Sequence, residues 1–192
     1  MTTQAWLFGT GVTLPVPMEY DMTLAQQSYS LAERWSKTKN TSEFSPTDIS
    51  GMDANQIGEY DYWSWLSLLI RPLSVVFLER LQSFDPLPAA HVDHLGDIYG
   101  LANSPNAEIR LRFYQVALLD PTSARSEHYA TAALKWVVGG EDGMVKGRMK
   151  FCRPIFRAAF AVNKAMAQDK YQEHKSSYHP IARDLIEQVR DA

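Results

Sequence analysis

The stretch "GRMKFCRP", residues 147–154, concentrates the residues best suited to chemistry. Arg148, Lys150 and Arg153 sit just ahead of a helix expected to start at Pro154. Proline suits a first helical position because it lacks an N–H and fixes φ. That end of a helix carries partial positive charge, so three cations beside it call for a negative partner. If "RMK" is extended, Arg148 and Lys150 point to the same side and Met149 to the other. Two cations would then converge beside the helix start, where an anion would offset them. Alternatively they splay into water or pair with Glu141 and Asp142, as weak surface pairs often do. The residues alone leave both readings open.

Other reactive side chains point to less. His91 and His94 flank Asp93 at i, i+3 on an expected helix and could share a metal, but no third ligand is evident, so a solvated helix face is expected. His174 and His179, in "QEHKSSYHP", lack the His-Glu-x-x-His order of zinc peptidases and are read as holding the turn before the last helix. His128 has no obvious partner. Cys152 has cations nearby that would favour a thiolate, but without a general base it reads as a small core residue. There is no Gly-x-Ser-x-Gly, phosphate loop or dinucleotide fingerprint. No catalytic residue, metal ligand or cofactor is assigned to this chain.

The elements that must position the cluster read as helices. The 192 residues, 45% hydrophobic and 21% charged, suffice for one or two domains with a real core. A net charge of −3 argues against a general nucleic-acid surface. A single cysteine allows no internal disulfide, and no secretory signal opens the chain, so a cytoplasmic home is expected. Residues 1–20, rich in Gly and Pro, read as an extended lead-in or linker. Residues 21–192 read as one helical domain.

Asp21 should cap a helix through about Trp35, with Leu24, Ser28, Leu31, Ala32 and Trp35 on one face. Pro86 and Pro88 separate the next two helices, and Gly100 closes a stripe of Val92, Leu95, Ile98 and Tyr99. Asn103 or Ser104 should open a helix burying Ile109, Leu111, Phe113 and Val116. Ser126 should cap the next, stopped by Gly139 and Gly140. Pro180 should begin the last, with Ile181, Leu185, Ile186 and Val189 as its stripe. No alternating strand pattern appears. The expected fold is all-α, a two-layered array of antiparallel helices in the manner of an irregular, armadillo-like solenoid.

"GRMKFCRPIFRAA" and "YQEHKSSYHP", with "EYDMTLAQQSYSLAERW", "FDPLPAAHVDHLGDIYGL" and "NAEIRLRFYQVAL" upstream, resemble in order the C-terminal helical domain of the leukotriene A4 hydrolase and aminopeptidase family. The resemblance implies part of a zinc aminopeptidase whose zinc lies in a separate catalytic domain that this chain lacks. The isolated chain is therefore expected to be inactive. Some members also hydrolyse the epoxide leukotriene A4. The family's Gly-Arg-Met-Lys reaches into the cleft and holds the carboxylate of a short peptide or of the lipid. Those positions match Arg148 and Lys150. The implied partners are the catalytic domain and that substrate, with no nucleic acid. The competing reading is a free-standing helical interaction module derived from such an enzyme.

One segment departs from the family pattern. Residues 58–74 add about 17 aromatic and apolar residues and would cut a helix between Ile57 and Val75. "GEY" back-translates readily to GGT-GAG-TAC, which contains the intron donor sequence GTGAG, so a retained intron is expected. The apolar run at residues 62–78 is short for a membrane span and is broken by Arg71 and Pro72, so a span is not expected. A real segment would instead offer a lipid- or partner-facing loop.

Overall fold

The computed structural model describes residues 23–49 and 73–191. The lead-in at residues 1–20, the Asp21 cap and most of the 58–74 segment lie outside the described residues. Among the described residues there are eight α-helices and no strands. They are α1 (Thr23–Lys37), α2 (Leu73–Leu81), α3 (Ala89–Ile98), α4 (Ala107–Ala117), α5 (Ser126–Val137), α6 (Met149–Val162), α7 (Lys164–His174) and α8 (Pro180–Asp191). Short 3-10 turns punctuate the loops, at Thr41–Glu43, Pro46–Ile49, Leu101–Asn103 and Lys175–Ser177. None of these helices is long and apolar enough to cross a membrane. The all-α expectation holds.

Packing follows the order of the chain. α1 lies on α2, α2 on α4, and α6 touches α4, α5, α7 and α8. Such neighbour-on-neighbour stacking is what short helices with one apolar stripe each can build. On α1 the stripe is Ser28, Leu31, Ala32 and Trp35, all buried. Trp35 stacks on Phe44 at 3.9 Å and its indole N–H donates to the Tyr99 hydroxyl at 3.3 Å. On α6 the stripe is Phe151, Cys152, Ile155, Phe156, Ala159 and Phe160, with Arg153 and Arg157 left outside.

Several boundaries fall elsewhere than the sequence suggests. α6 begins at Met149, and Pro154 sits inside it. The reason is the stripe: Phe151 and Cys152 continue the buried face of Ile155 and Phe156 by one helical turn. Burying a phenylalanine is worth about 1.5–3 kcal/mol, which offsets the single bond that Pro154 cannot give the carbonyl of Lys150. α4 is capped by Asn106, whose Oδ1 accepts from the Glu108 N–H at 2.9 Å, and not by Asn103 or Ser104. Ser126 is the first residue of α5; its hydroxyl donates to the carbonyls of Pro121 and Ser123. α8 buries Ala182 and Ile186, whereas Ile181 is 55% exposed, so the stripe is turned by one residue. Leu73 and Ser74, the last residues of the 58–74 segment, belong to α2; Ser74 is buried, and Ser28 Oγ donates to the Leu73 carbonyl at 3.0 Å.

Candidate functional site

The basic cluster lies where α5, the loop after it and α6 meet the start of α4. The loop leaves α5 through Gly139, whose φ of 80° places it in the left-handed region. It folds back on the helix end: the Lys146 N–H donates to the Val137 carbonyl at 2.8 Å, and the Gly143 N–H to the Gly139 carbonyl at 2.8 Å. Tyr178, just before α8, also directs its hydroxyl to the Val137 carbonyl, at 3.4 Å. The chain thus turns within nine residues (139–147) and delivers Arg148 to the start of α6.

Arg148 is the N-cap residue of α6, with φ −65° and ψ 129°. Its carbonyl accepts from the N–H groups of Phe151 and Cys152, at 2.8 and 3.1 Å. Its side chain is exposed and makes no hydrogen bond or ion pair among the described residues. No side chain caps this helix end and no acidic residue lies in its first turn. The positive end of α6 is therefore uncompensated from within its own element.

Lys150 goes elsewhere. The extended "RMK" geometry does not form, because Met149 and Lys150 are already helical and successive residues rotate by about 100°. The strand-like convergence of Arg148 and Lys150 is thus corrected. Lys150 Nζ instead stands 2.6 Å from Glu108 Oε1, on the first turn of α4. Both remain partly in water, with side-chain exposures of 52% and 30%.

The two acids named as possible surface partners are occupied as well. Glu141 binds Arg110 at 2.6 Å, and Asp142 binds Lys146 at 2.6 Å. The Lys146 and Met144 contacts hold the Asp142 carboxyl below its ordinary value. Arg110 is buried; its guanidinium lies 5.3 Å from the centre of the Trp136 ring and donates to the Tyr114 hydroxyl at 3.3 Å. Sequence reasoning missed Glu108 and Arg110. The signal was present in "NAEIRLR": a charged residue between Ile109 and Leu111, inside an apolar face, needs a partner.

Cys152 is fully buried beneath this corner, and burial pushes its thiol up, which makes it a core residue and a poor nucleophile. His179 caps α8, its Nδ1 accepting the Ile181 N–H at 3.3 Å, as the reading of the last turn expected. His91 and His94 do not lie on a solvated face. Both are half-buried, and His91 Nδ1 and His94 Nε2 are buried without a hydrogen-bond partner among the described residues. Among the described residues no three His, Cys, Asp or Glu side chains converge.

The Arg148 guanidinium, with no partner among the described residues and at a helix start that no side chain caps, offers a charged fork and backbone donors suited to an anion.

Comparison with known proteins agrees with the resemblance. Residues 72–189 match the family model described as leukotriene A4 hydrolase, C-terminal. The chain is 35% identical over 187 residues to "Leucine aminopeptidase 2" of Emericella nidulans, covering 95% of this chain and 25% of that protein. It is 32% identical over 186 residues to "Leukotriene A-4 hydrolase homolog" of Botryotinia fuckeliana, covering 95% and 24%. The fold superposes on native leukotriene A4 hydrolase from Saccharomyces cerevisiae with a TM-score of 0.71 at 26% identity, covering 98% of this chain and 29% of that one. The chain thus spans about a quarter of the length of the curated relatives it matches.

Proposed function

Because this chain belongs to the leukotriene A4 hydrolase C-terminal family, we propose that it is the substrate-clamping part of an aminopeptidase, working with a catalytic domain outside this sequence. In this reading the helical domain closes one side of the active-site cleft. Arg148 binds the C-terminal carboxylate of a short peptide, or the carboxylate of a lipid. Lys150 supports it as a nearby positive charge. Fixing the far end of a substrate sets the position of the scissile bond and removes orientational freedom before reaction.

The observation that carries the proposal is the state of Arg148. It stands exposed at the uncapped start of α6, while the carboxylates of Glu108, Glu141 and Asp142 are each held by another cation. Guanidinium fits carboxylate in a bidentate fork, and such a bond in a water-poor cleft is worth about 1.5–3 kcal/mol.

The test places this chain in the position of the corresponding quarter of the Emericella nidulans relative and compares Arg148→Ala with its parent. On tripeptides with a free C-terminus kcat/KM should fall by roughly 10- to 100-fold. On substrates ending in an amide or anilide the loss should be much smaller. Lys150→Ala should show the same selectivity with a smaller effect, since an ammonium is a point charge without a fork. Equal losses on both substrate classes would show that Arg148 shapes the domain and does not read the substrate.

A further inference from the structure

The corner is framed by ion pairs, and one of them involves a residue assigned to the clamp itself. Lys150 Nζ lies 2.6 Å from Glu108 Oε1. Glu108 is rooted there by its own helix: it is the second residue of α4, and its N–H is bound to the Asn106 cap. A carboxylate suits that helix start, and Lys150, second residue of α6, is disfavoured at its own. Each residue of the pair therefore compensates the other.

We propose that Glu108 is a specificity-determining residue of this corner: it holds Lys150 in a closed ion pair, lowers the attraction for anions in general, and makes carboxylate recognition depend on the Arg148 fork. The inference rests on the clamp reading above and adds a residue to it.

Charge decides the sign. An ammonium keeps donors free after pairing once, so geometry alone does not stop Lys150 from accepting a second carboxylate. That carboxylate would, however, approach a like charge already seated on the same nitrogen. Removing the charge of Glu108 while keeping its shape should release the full attraction of Lys150. Because both side chains are partly in water, screening limits the gain to roughly 3- to 10-fold, or about 0.7–1.4 kcal/mol at 1.4 kcal/mol per tenfold. The gain should shrink with added salt.

The measurement uses the chimera described above, in which this chain replaces the corresponding quarter of the Emericella nidulans relative. N-acetyl-trialanine and its C-terminal amide are titrated at low salt by isothermal titration calorimetry, which reads every variant alike. Glu108→Gln should tighten binding of the free carboxylate by the stated factor and leave the amide unchanged. Adding Lys150→Ala to Glu108→Gln should erase the gain. Circular dichroism of each variant checks the fold. Unchanged or weaker carboxylate binding by Glu108→Gln overturns the inference, as does a gain that survives loss of Lys150. Arg148→Ala separates the two levels. If it abolishes carboxylate binding while Glu108→Gln does nothing, only the role of Glu108 falls. If it binds as well as its parent, or if neither parent nor Glu108→Gln binds, both readings fall.

Discussion

Asp93 shows how much a single side chain can tie together. It sits on α3, and its Oδ1 accepts from Arg125 Nε at 2.9 Å and from the Tyr129 hydroxyl at 2.7 Å, both from the start of α5. Burial pushes the carboxyl up, but the Tyr129 and Arg125 bonds with the Arg125 charge outweigh it and hold Asp93 below its ordinary value. A folded-state value below the unfolded one means that the contribution is present above the unfolded carboxyl range, near 3.9. It is lost as pH falls through the lower, folded value. The pair is well exposed, at 35% for Asp93 and 42% for Arg125, so it contributes no more than about 1 kcal/mol. Urea melts of the parent and Asp93→Asn should differ by that amount at neutral pH and converge in strong acid. A gap that stays constant down to about pH 2 would contradict the assignment.

At the scale of elements, the turn between α5 and α6 is the most demanding piece of backbone. Gly139 and Gly143 both have positive φ, 80° and 74°, but their surroundings differ. A Cβ on Gly139 would stand 2.7 Å from the Met144 carbonyl carbon and 2.8 Å from the Val145 nitrogen, both backbone. A Cβ on Gly143 meets nothing within 4 Å. Gly143→Ala should therefore cost only the left-handed penalty, about 1 kcal/mol. Gly139→Ala adds a backbone clash and should cost at least about 2–3 kcal/mol in thermal or chemical melts. Equal costs would show that the loop yields freely. This turn also marks the limit of what the sequence makes legible. The Gly139-Gly140 pair stops α5 as read, because glycine at a helix end is a local signal. The start of α6 lies five residues before the Pro154 signal, because proline is also a local signal and burial of Phe151 and Cys152 overrides it. Arg148 could be singled out from its charge and company. The partner of Lys150 could not, since Glu108 lies 42 residues away and only the packing of α4 on α6 brings them together.

For the whole molecule, the family match takes in α2. The match begins at residue 72, and α2 begins at Leu73 with Ser74 already buried. The 58–74 bounds of the intron reading take in Leu73 and Ser74, which lie in α2, so the deletion that tests it is of residues 58–72: it should leave the melting temperature unchanged or raise it, since the α1–α2 contact through Ser28 and Leu73 is kept. A clear fall on deletion would mean that the segment is structural, and transcripts that run through it without a gap would reject the intron reading.

The placement of Trp136 also makes the corner observable. Its indole is buried and lies under the Arg110 guanidinium that holds Glu141. Trp35 is buried in a separate setting, against Phe44 and Tyr99. In protein carrying 5-fluorotryptophan, the Trp136 nucleus is therefore a resident spectroscopic reporter. The magnetic environment of that one ring depends on whether the cation above it is seated, while Trp35 serves as an internal reference.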